Sequence, residues 1–144
     1  MHYKVYKVLF SILLVAILSA CSKDKFKSTP SLRFKSVSSK IIPPNSGIQF
    51  TLEFTDAEGD LNDSLFIQKV EPTCENSNFT DYYTIPSFPV SKNEKGDILV
   101  NFRYFDIAPQ CQRNDTAIFR FVIKDKAGHI SDTAASPPIV LLYQ

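Results

Sequence analysis

The sequence predicts an all-β protein that folds as a two-layer antiparallel sandwich. Several short runs alternate apolar with polar residues, which is the period of a strand with one buried face. Turn residues, such as the Pro-Pro-Asn-Ser-Gly of positions 43–47, bound each run. Beyond residue 21, no stretch has the apolar spacing of an amphipathic helix. About seven strands in roughly a hundred residues are typical of a sandwich of the immunoglobulin type.

The predicted strands take the letters of the immunoglobulin scheme. They are A (32–37), B (48–54), C (65–70), C′ (82–90), E (97–104), F (116–124) and G (130–143). Pro86 and Pro89 fall within C′, so we expect an edge strand or an irregular segment there. In this topology the B–C and F–G loops share one end of the sandwich, and the C–C′ and E–F loops share the other.

A signal peptide is predicted before the sandwich. Lys4 and Lys7 precede an apolar run over residues 8–20, which is long enough for a signal-peptide core and short for a membrane span. The run ends in Leu18-Ser19-Ala20-Cys21, which resembles the lipobox of bacterial lipoproteins. The resemblance implies cleavage before Cys21 and acylation of Cys21, which would hold the mature chain in a membrane leaflet. We therefore expect a signal peptide (1–20), a lipidated N-terminus with a basic tether (21–31) and one sandwich domain (32–144).

The chain has three cysteines, an odd number for an exported protein. If Cys21 carries lipid, Cys74 and Cys111 remain to form a disulfide. The first lies in the C–C′ loop and the second in the E–F loop, so the predicted topology places them at the same end. The alternative is two buried free thiols, which an oxidising compartment disfavours.

Charge is distributed unevenly along the chain, although the formal net charge is only +1. Residues 22–40 hold six basic side chains and one acidic one, whereas residues 41–144 hold eight basic and fourteen acidic ones. The basic segment suits an anionic membrane surface beside the lipid anchor. It is equally consistent with a soluble linker. The acidic domain argues against nucleic acid as a partner.

A dense acidic cluster follows strand B and predicts a calcium site. Asp56, Glu58, Asp60 and Asp63 lie two or three residues apart around a glycine, and Asp125 of the F–G loop is expected at the same end. Such oxygen-rich groups are what a hard cation such as Ca²⁺ requires. The cluster is not an EF-hand, because its glycine comes early and strands flank it. The alternative is a solvated turn rich in Asp and Gly.

Aromatic residues are grouped around the proline-interrupted strand C′. They are Phe79, Tyr82, Tyr83 and Phe88. On a surface, such side chains stack on a glycan or anchor another protein of the envelope. The alternative is that they close the hydrophobic core.

The sequence offers little for catalysis, and we expect no enzyme. His129 is the one histidine after the signal peptide, so a multi-histidine metal centre is excluded. The chain has neither a G-x-S-x-G nor an H-E-x-x-H motif. A carboxylate pair from the acidic loop would suit a glycosidase, but the domain is small for a sugar cleft.

Two short motifs carry a resemblance to a family. Residues 54–61 (FTDAEGDL) and 122–129 (VIKDKAGH) resemble segments of uncharacterised immunoglobulin-like or fibronectin-III-like lipoproteins of gut-type Gram-negative bacteria. The chain departs from that pattern at Glu58, where Asp is usual, and at His129, where Asn is usual. The resemblance implies a fold and a location at the outer membrane, on its periplasmic face or the cell surface. It implies no activity.

These observations favour a non-enzymatic outer-membrane or cell-surface lipoprotein that serves as a binding or assembly module and is stabilised by calcium. One alternative is a structural accessory subunit of an envelope complex without its own ligand. The other is a small hydrolase.

Overall fold

A computed structural model describes residues 28–61, 64–86, 89 and 91–143. The predicted signal peptide, Cys21 and most of the predicted tether lie outside these residues, so they stay predictions. Asp63 and Phe88 lie outside them as well. Within the described ranges, no helix combines the length and apolar character that crossing a membrane requires.

The structure is a sandwich of two β-sheets. Its strands are β1 (Ser31–Val37), β2 (Ile41–Ile42), β3 (Gly47–Asp56), β4 (Ser64–Val70), β5 (Phe79–Thr84), β6 (Glu94–Arg103), β7 (Asp115–Lys124), β8 (Ala134–Ala135) and β9 (Ile139–Leu141). One sheet has the order β1-β3-β6, and the other has the order β2-β9-β7-β4-β5 with β8 beside β7. All pairings are antiparallel except that of β2 with β9. This arrangement confirms the predicted immunoglobulin-like sandwich, with strands A, B and E facing G, F, C and C′.

The core lies between the two sheets and is centred on Phe50 of β3. Its ring centroid is 4.8 Å from that of Phe119 and 5.2 Å from that of Phe121, both on β7 of the facing sheet. Every second residue of β3 from Ile48 to Asp56 is buried. The alternation read from the sequence therefore marks the face that packs against the other sheet.

The predicted strand bounds differ from the observed ones where proline or a helix intervenes. Strand β5 starts at Phe79 and ends at Thr84, before Pro86, whose nitrogen has no proton for a ladder. Predicted strand G is divided into β8 and β9, because Pro137 and Pro138 lie between them. Predicted strand E continues into a four-residue helix, α1 (Tyr104–Ile107). Strand β2 was not predicted.

The loops meet at the two ends as the topology predicts. At one end, the Lys126 amide of the β7–β8 connection donates to the Asp60 carbonyl oxygen of the β3–β4 loop at 3.3 Å. At the other end, Cys74 and Cys111 form a disulfide with their Cα atoms 5.8 Å apart. The predicted disulfide is thus confirmed, and it joins the β4–β5 loop to the segment between α1 and β7.

Candidate binding site at the open edge of the sandwich

One side of the sandwich presents two strand edges to solvent. Among the described strands, β6 pairs with β3 alone, and β5 pairs with β4 alone. Both are therefore the outermost strands of their sheets on this side. We call the space between them the edge groove.

The edge groove has a volume of about 520 Å³. Its floor is apolar and comes from both sheets: Phe54, Leu65, Ile85, Ile98 and Val100. Its rim is polar and belongs to β6: Glu94, Lys95, Asp97 and Asn101. An apolar floor of this size with a few polar groups at the rim is the usual composition of a ligand site.

Two of the predicted binding aromatics lie on the inner face of β5. Phe79 and Tyr83 both point toward Phe102 of β6, with ring centroids 6.0 and 6.3 Å from it. Tyr83 lines the groove and remains 42% exposed. Burial, and then the neighbouring Asp81 carboxylate, raise the pKa of the Tyr83 phenol. The Asp81 carboxylate accepts a hydrogen bond from this phenol, which leaves the phenol oxygen as an acceptor at the groove wall.

The other aromatics do not join this pair. Tyr82 points to the outer face of the sheet, is 69% exposed and packs edge-on against Phe66 at 5.0 Å between centroids. Phe88 lies outside the described residues. The four aromatics were grouped because they are close in the sequence. In a strand, however, adjacent residues point to opposite faces of the sheet, so Tyr82 and Tyr83 are separated.

The charged rim is largely paired. Lys95 lies 3.3 Å from the Glu53 carboxylate, and Lys35 lies 2.7 Å from the Asp97 carboxylate. The hydrogen bond to Asp97 raises the pKa of Lys35. Exposed pairs of this kind add little stability. They leave the rim close to neutral, which suits an uncharged apolar ligand segment.

The predicted calcium loop is organised by its own buried aspartate. Asp56 accepts hydrogen bonds from the amides of Glu58 at 3.2 Å and Asp60 at 3.0 Å, one to each carboxylate oxygen. Gly59 has φ 70°, and a Cβ there would collide with the Ser91 backbone. The side chain of Asp56 therefore shapes a tight turn against the β5–β6 connection.

Asp125 has the same role in the opposite loop. It is fully buried, and its Oδ1 accepts from the His129 amide at 2.7 Å while its Oδ2 lies 2.9 Å from His129 Nδ1. Among the described residues, no three metal-ligating side chains gather at this end. The structure thus brings the two loops together, but it commits the oxygens of Asp56 and Asp125 to their own turns.

Glu94 is an acidic neighbour that sequence reasoning missed. It lies directly opposite Asp56 in the β3–β6 register, and its Oε2 is buried without a hydrogen bond from any described residue. Burial raises the pKa of Glu94, and the Asp56 carboxylate raises it further. The strand register brings together two acids that are 38 residues apart in the chain, and the sequence alone carries no signal for this contact.

Lys69 is a second residue that sequence reasoning missed. It is 1% exposed and lies in the disulfide end of the core, against the carboxylate of Glu71. The sequence does indicate that this lysine is buried, because Lys69 continues the alternation of Leu65 and Ile67 at the buried positions of β4. A lysine at the third inward position of a strand predicts a buried partner.

No protein-family model and no curated protein matches this chain. Solved structures with a similar fold include Spo0M, a sporulation control protein from Bacillus subtilis, with 12% identity and a TM-score of 0.49. The match covers 82% of this chain but only 51% of the Spo0M chain. A Niemann-Pick type C2 protein from the Japanese carpenter ant has 9% identity and a TM-score of 0.45, over 81% of this chain and 98% of that one. These likenesses concern the fold alone.

Fold and site together define an immunoglobulin-like β-sandwich with an apolar groove between two unpaired strand edges. The groove is a concave surface lined by residues of both sheets.

Proposed function

We propose that this protein is a lipid-anchored, non-enzymatic binding module of the bacterial outer membrane or cell surface, which holds an extended segment of another envelope protein in the edge groove. The observation that carries the binding role is the apolar groove flanked by two free strand edges. The anchor rests on the lipobox-like Leu18–Cys21 and the apolar run before it.

An extended protein segment fits this surface better than other ligands. Strand β6 is ten residues long, and its outer edge offers a row of backbone N–H and C=O groups. A peptide strand added there would pair with those groups and place alternate apolar side chains in the groove. A glycan would meet a floor without polar side chains, because the five floor residues are aliphatic or aromatic and the polar lining residues lie at the rim and wall. A compact apolar molecule would leave the strand edge unpaired.

The β6 edge is better suited to this pairing than the β5 edge. Strand β5 is shorter, carries Asp81 on its inner face and is followed by Pro86. Inward charges and prolines are features by which edge strands avoid pairing. Strand β6 has its one inward acid, Glu94, at its first residue and contains no proline. It also exposes Leu99, which is 56% accessible on its outer face.

Calcium would act in this proposal as a stabiliser of the β3–β4 loop. Two observations support it: Asp60 Oδ1 and Glu94 Oε2 are buried and accept no hydrogen bond from the described residues. A cation bound to either oxygen would offset the repulsion among the acids. The turn-forming hydrogen bonds of Asp56 instead favour a purely structural loop, the alternative in which the protein is an accessory subunit.

Site-specific photo-cross-linking in the native envelope tests the binding role. A photoreactive residue at Leu99 is compared with one at Ile130, which is 58% exposed and does not line the groove. We expect one discrete protein adduct at position 99, none at position 130, and loss of the adduct when Tyr83→Ser is added. Equal labelling at both positions, or none at position 99, would contradict the proposal.

A further inference from the structure

A group of buried charged side chains lies at the disulfide end of the sandwich. Lys69 occupies the last inward position of β4, and Glu71 directly follows the strand. Asp115 is the first residue of β7, beside them. The exposed fractions are 1%, 0% and 8%. Charges this deeply buried need partners, because removing them from water is costly.

The ammonium group of Lys69 is surrounded by oxygen atoms. Lys69 Nζ lies 2.5 Å from Glu71 Oε1 and donates to the carbonyl oxygens of Ile107 at 2.7 Å and Ser77 at 3.2 Å. The two carbonyl oxygens accept two of the three donors of the ammonium group, and the contact with Glu71 Oε1 is an ion pair. Lys69 therefore binds one oxygen of Glu71 and leaves the other.

The two carboxylates are only partly satisfied. Asp115 Oδ1 accepts from the Thr116 amide at 2.7 Å and from the Thr73 hydroxyl. Asp115 Oδ2 and Glu71 Oε2 are buried and accept no hydrogen bond from any described residue. The cluster contains one ammonium group and two carboxylates. Its charge is therefore balanced only when a further cation is present.

Sulfur completes the group of ligand atoms. A carboxylate oxygen of Glu71, a carboxylate oxygen of Asp115 and the sulfur of Cys74 all lie within 4.8 Å of one another. The sulfur of Cys111 is bonded to that of Cys74 but is not a member of this group, so its ligation requires a rotation of the Cys111 side chain once the disulfide is open. In the disulfide neither sulfur is a thiolate, so the metal-ligating character of this site is masked. Two thiolates and two carboxylates are a ligand set for tetrahedral Zn²⁺.

We propose that the reduced form of this protein binds a zinc-class divalent cation through Cys74, Cys111, Glu71 and Asp115, and that disulfide formation and metal binding exclude each other. A dithiol reductant supplies the two electrons: one of its thiolates attacks the disulfide, its second thiol closes the reductant's own disulfide, and the protein keeps two thiols. The cation then replaces the two thiol protons. Lys69 holds Glu71 Oε1 and leaves Oε2 for the metal.

Cobalt titration of the whole mature chain tests this proposal. Co²⁺ reports thiolate ligation through a sulfur-to-cobalt charge-transfer band, and Zn²⁺ should displace it. We expect the band in the phosphine-reduced protein and not in the oxidised protein. Glu71→Gln and Asp115→Asn should each weaken binding by about tenfold or more. Glu75→Gln is the matched control, because Glu75 is an exposed acid adjacent to Cys74 in the sequence. This variant should bind the metal as tightly as the parent does.

Circular dichroism of each sample separates folded sites from the thiols of an unfolded chain. A β-sheet spectrum that is kept or regained with the metal supports the site. The proposal is overturned if the reduced protein shows no band, if oxidised protein binds equally, if both carboxylate variants bind as tightly as the control, or if the metal-bound chain is unfolded.

Discussion

The two ends of the sandwich both hold buried carboxylates, but they use them in opposite ways. At the end formed by the β3–β4 and β7–β8 loops, Asp56 and Asp125 are hydrogen-bonded by amides of their own turns. At the disulfide end, Oε2 of Glu71 and Oδ2 of Asp115 are buried without a hydrogen bond from the described chain, and Oε1 of Glu71 has only its ion pair with Lys69. Asp56 and Asp125 therefore shape turns, and single unpaired oxygens remain on Asp60 and Glu94. At the disulfide end, two acids 44 residues apart meet the sulfur of Cys74 in one group of ligand atoms.

The largest expected effect comes from breaking the buried ion pair. Lys69→Met leaves Glu71 buried without its cation, which should lower the free energy of unfolding by about 3 to 5 kcal/mol. Lys69→Met combined with Glu71→Leu removes both charges and should recover most of that loss. Urea unfolding of the single and double variants measures it. A double variant as unstable as the single one would show that the pair is not the cause.

Removal of the disulfide should cost somewhat less. Replacing both Cys74 and Cys111 by Ser frees the loop that they close and should lower the free energy of unfolding by about 2 to 4 kcal/mol. Thermal unfolding of this variant is compared with that of the phosphine-reduced parent. If neither change lowers the melting temperature, the disulfide end is held together by packing and by the buried ion pair.

Asp56 should matter more than its acidic neighbours. Asp56→Ala removes two hydrogen bonds to backbone amides and should cost about 1 to 3 kcal/mol. Glu58→Ala changes an exposed side chain and should stay within about 0.5 kcal/mol. A large effect of Glu58→Ala that depends on added calcium would instead indicate a bound ion.

The smallest expected effect is a gain of stability from Glu94→Gln. The raised pKa of Glu94 means that the folded protein holds a proton which the unfolded chain gives up above the ordinary value of 4.5. Stability is therefore lost as the pH rises from that value through the folded pKa. We expect Glu94→Gln to melt at a higher temperature than the parent at neutral pH, and the difference to vanish below about pH 4.

Glu58→Gln serves as the control for this comparison, since Glu58 is an exposed acid of the same loop system. An equal gain from both variants would point to net charge and not to the contact with Asp56. A gain that persists in acid would contradict the titration of Glu94.

Most of the fold was predictable because the buried face and the ends of a strand depend on residues that are close together in the sequence. The two-residue alternation of β3 and β7 marks their buried faces, and proline positions limit β5 and separate β8 from β9. The disulfide followed from counting cysteines and from strand order. Helix α1 was missed because four residues give too short a period to recognise.

The candidate site was less predictable because it depends on contacts between distant strands. The edge groove forms where β5 and β6 end their sheets, and strand order within a sheet is a global property. Tyr83 was named from the sequence, but its contact with Phe102 depends on how β5 and β6 approach each other. The inward lysine of β4 was visible in the pattern, whereas its carboxylate and carbonyl partners were not.

The central claim is that the free edge of β6 receives an extended segment of another envelope protein. Hydrogen exchange of the Glu94–Arg103 amides, measured on the anchored protein in its native membrane and on the purified protein, tests it most directly. We expect the outward-facing amides of β6 to exchange more slowly in the membrane, with the amides of β1 unchanged. Equal exchange of β6 in the two samples would contradict the claim.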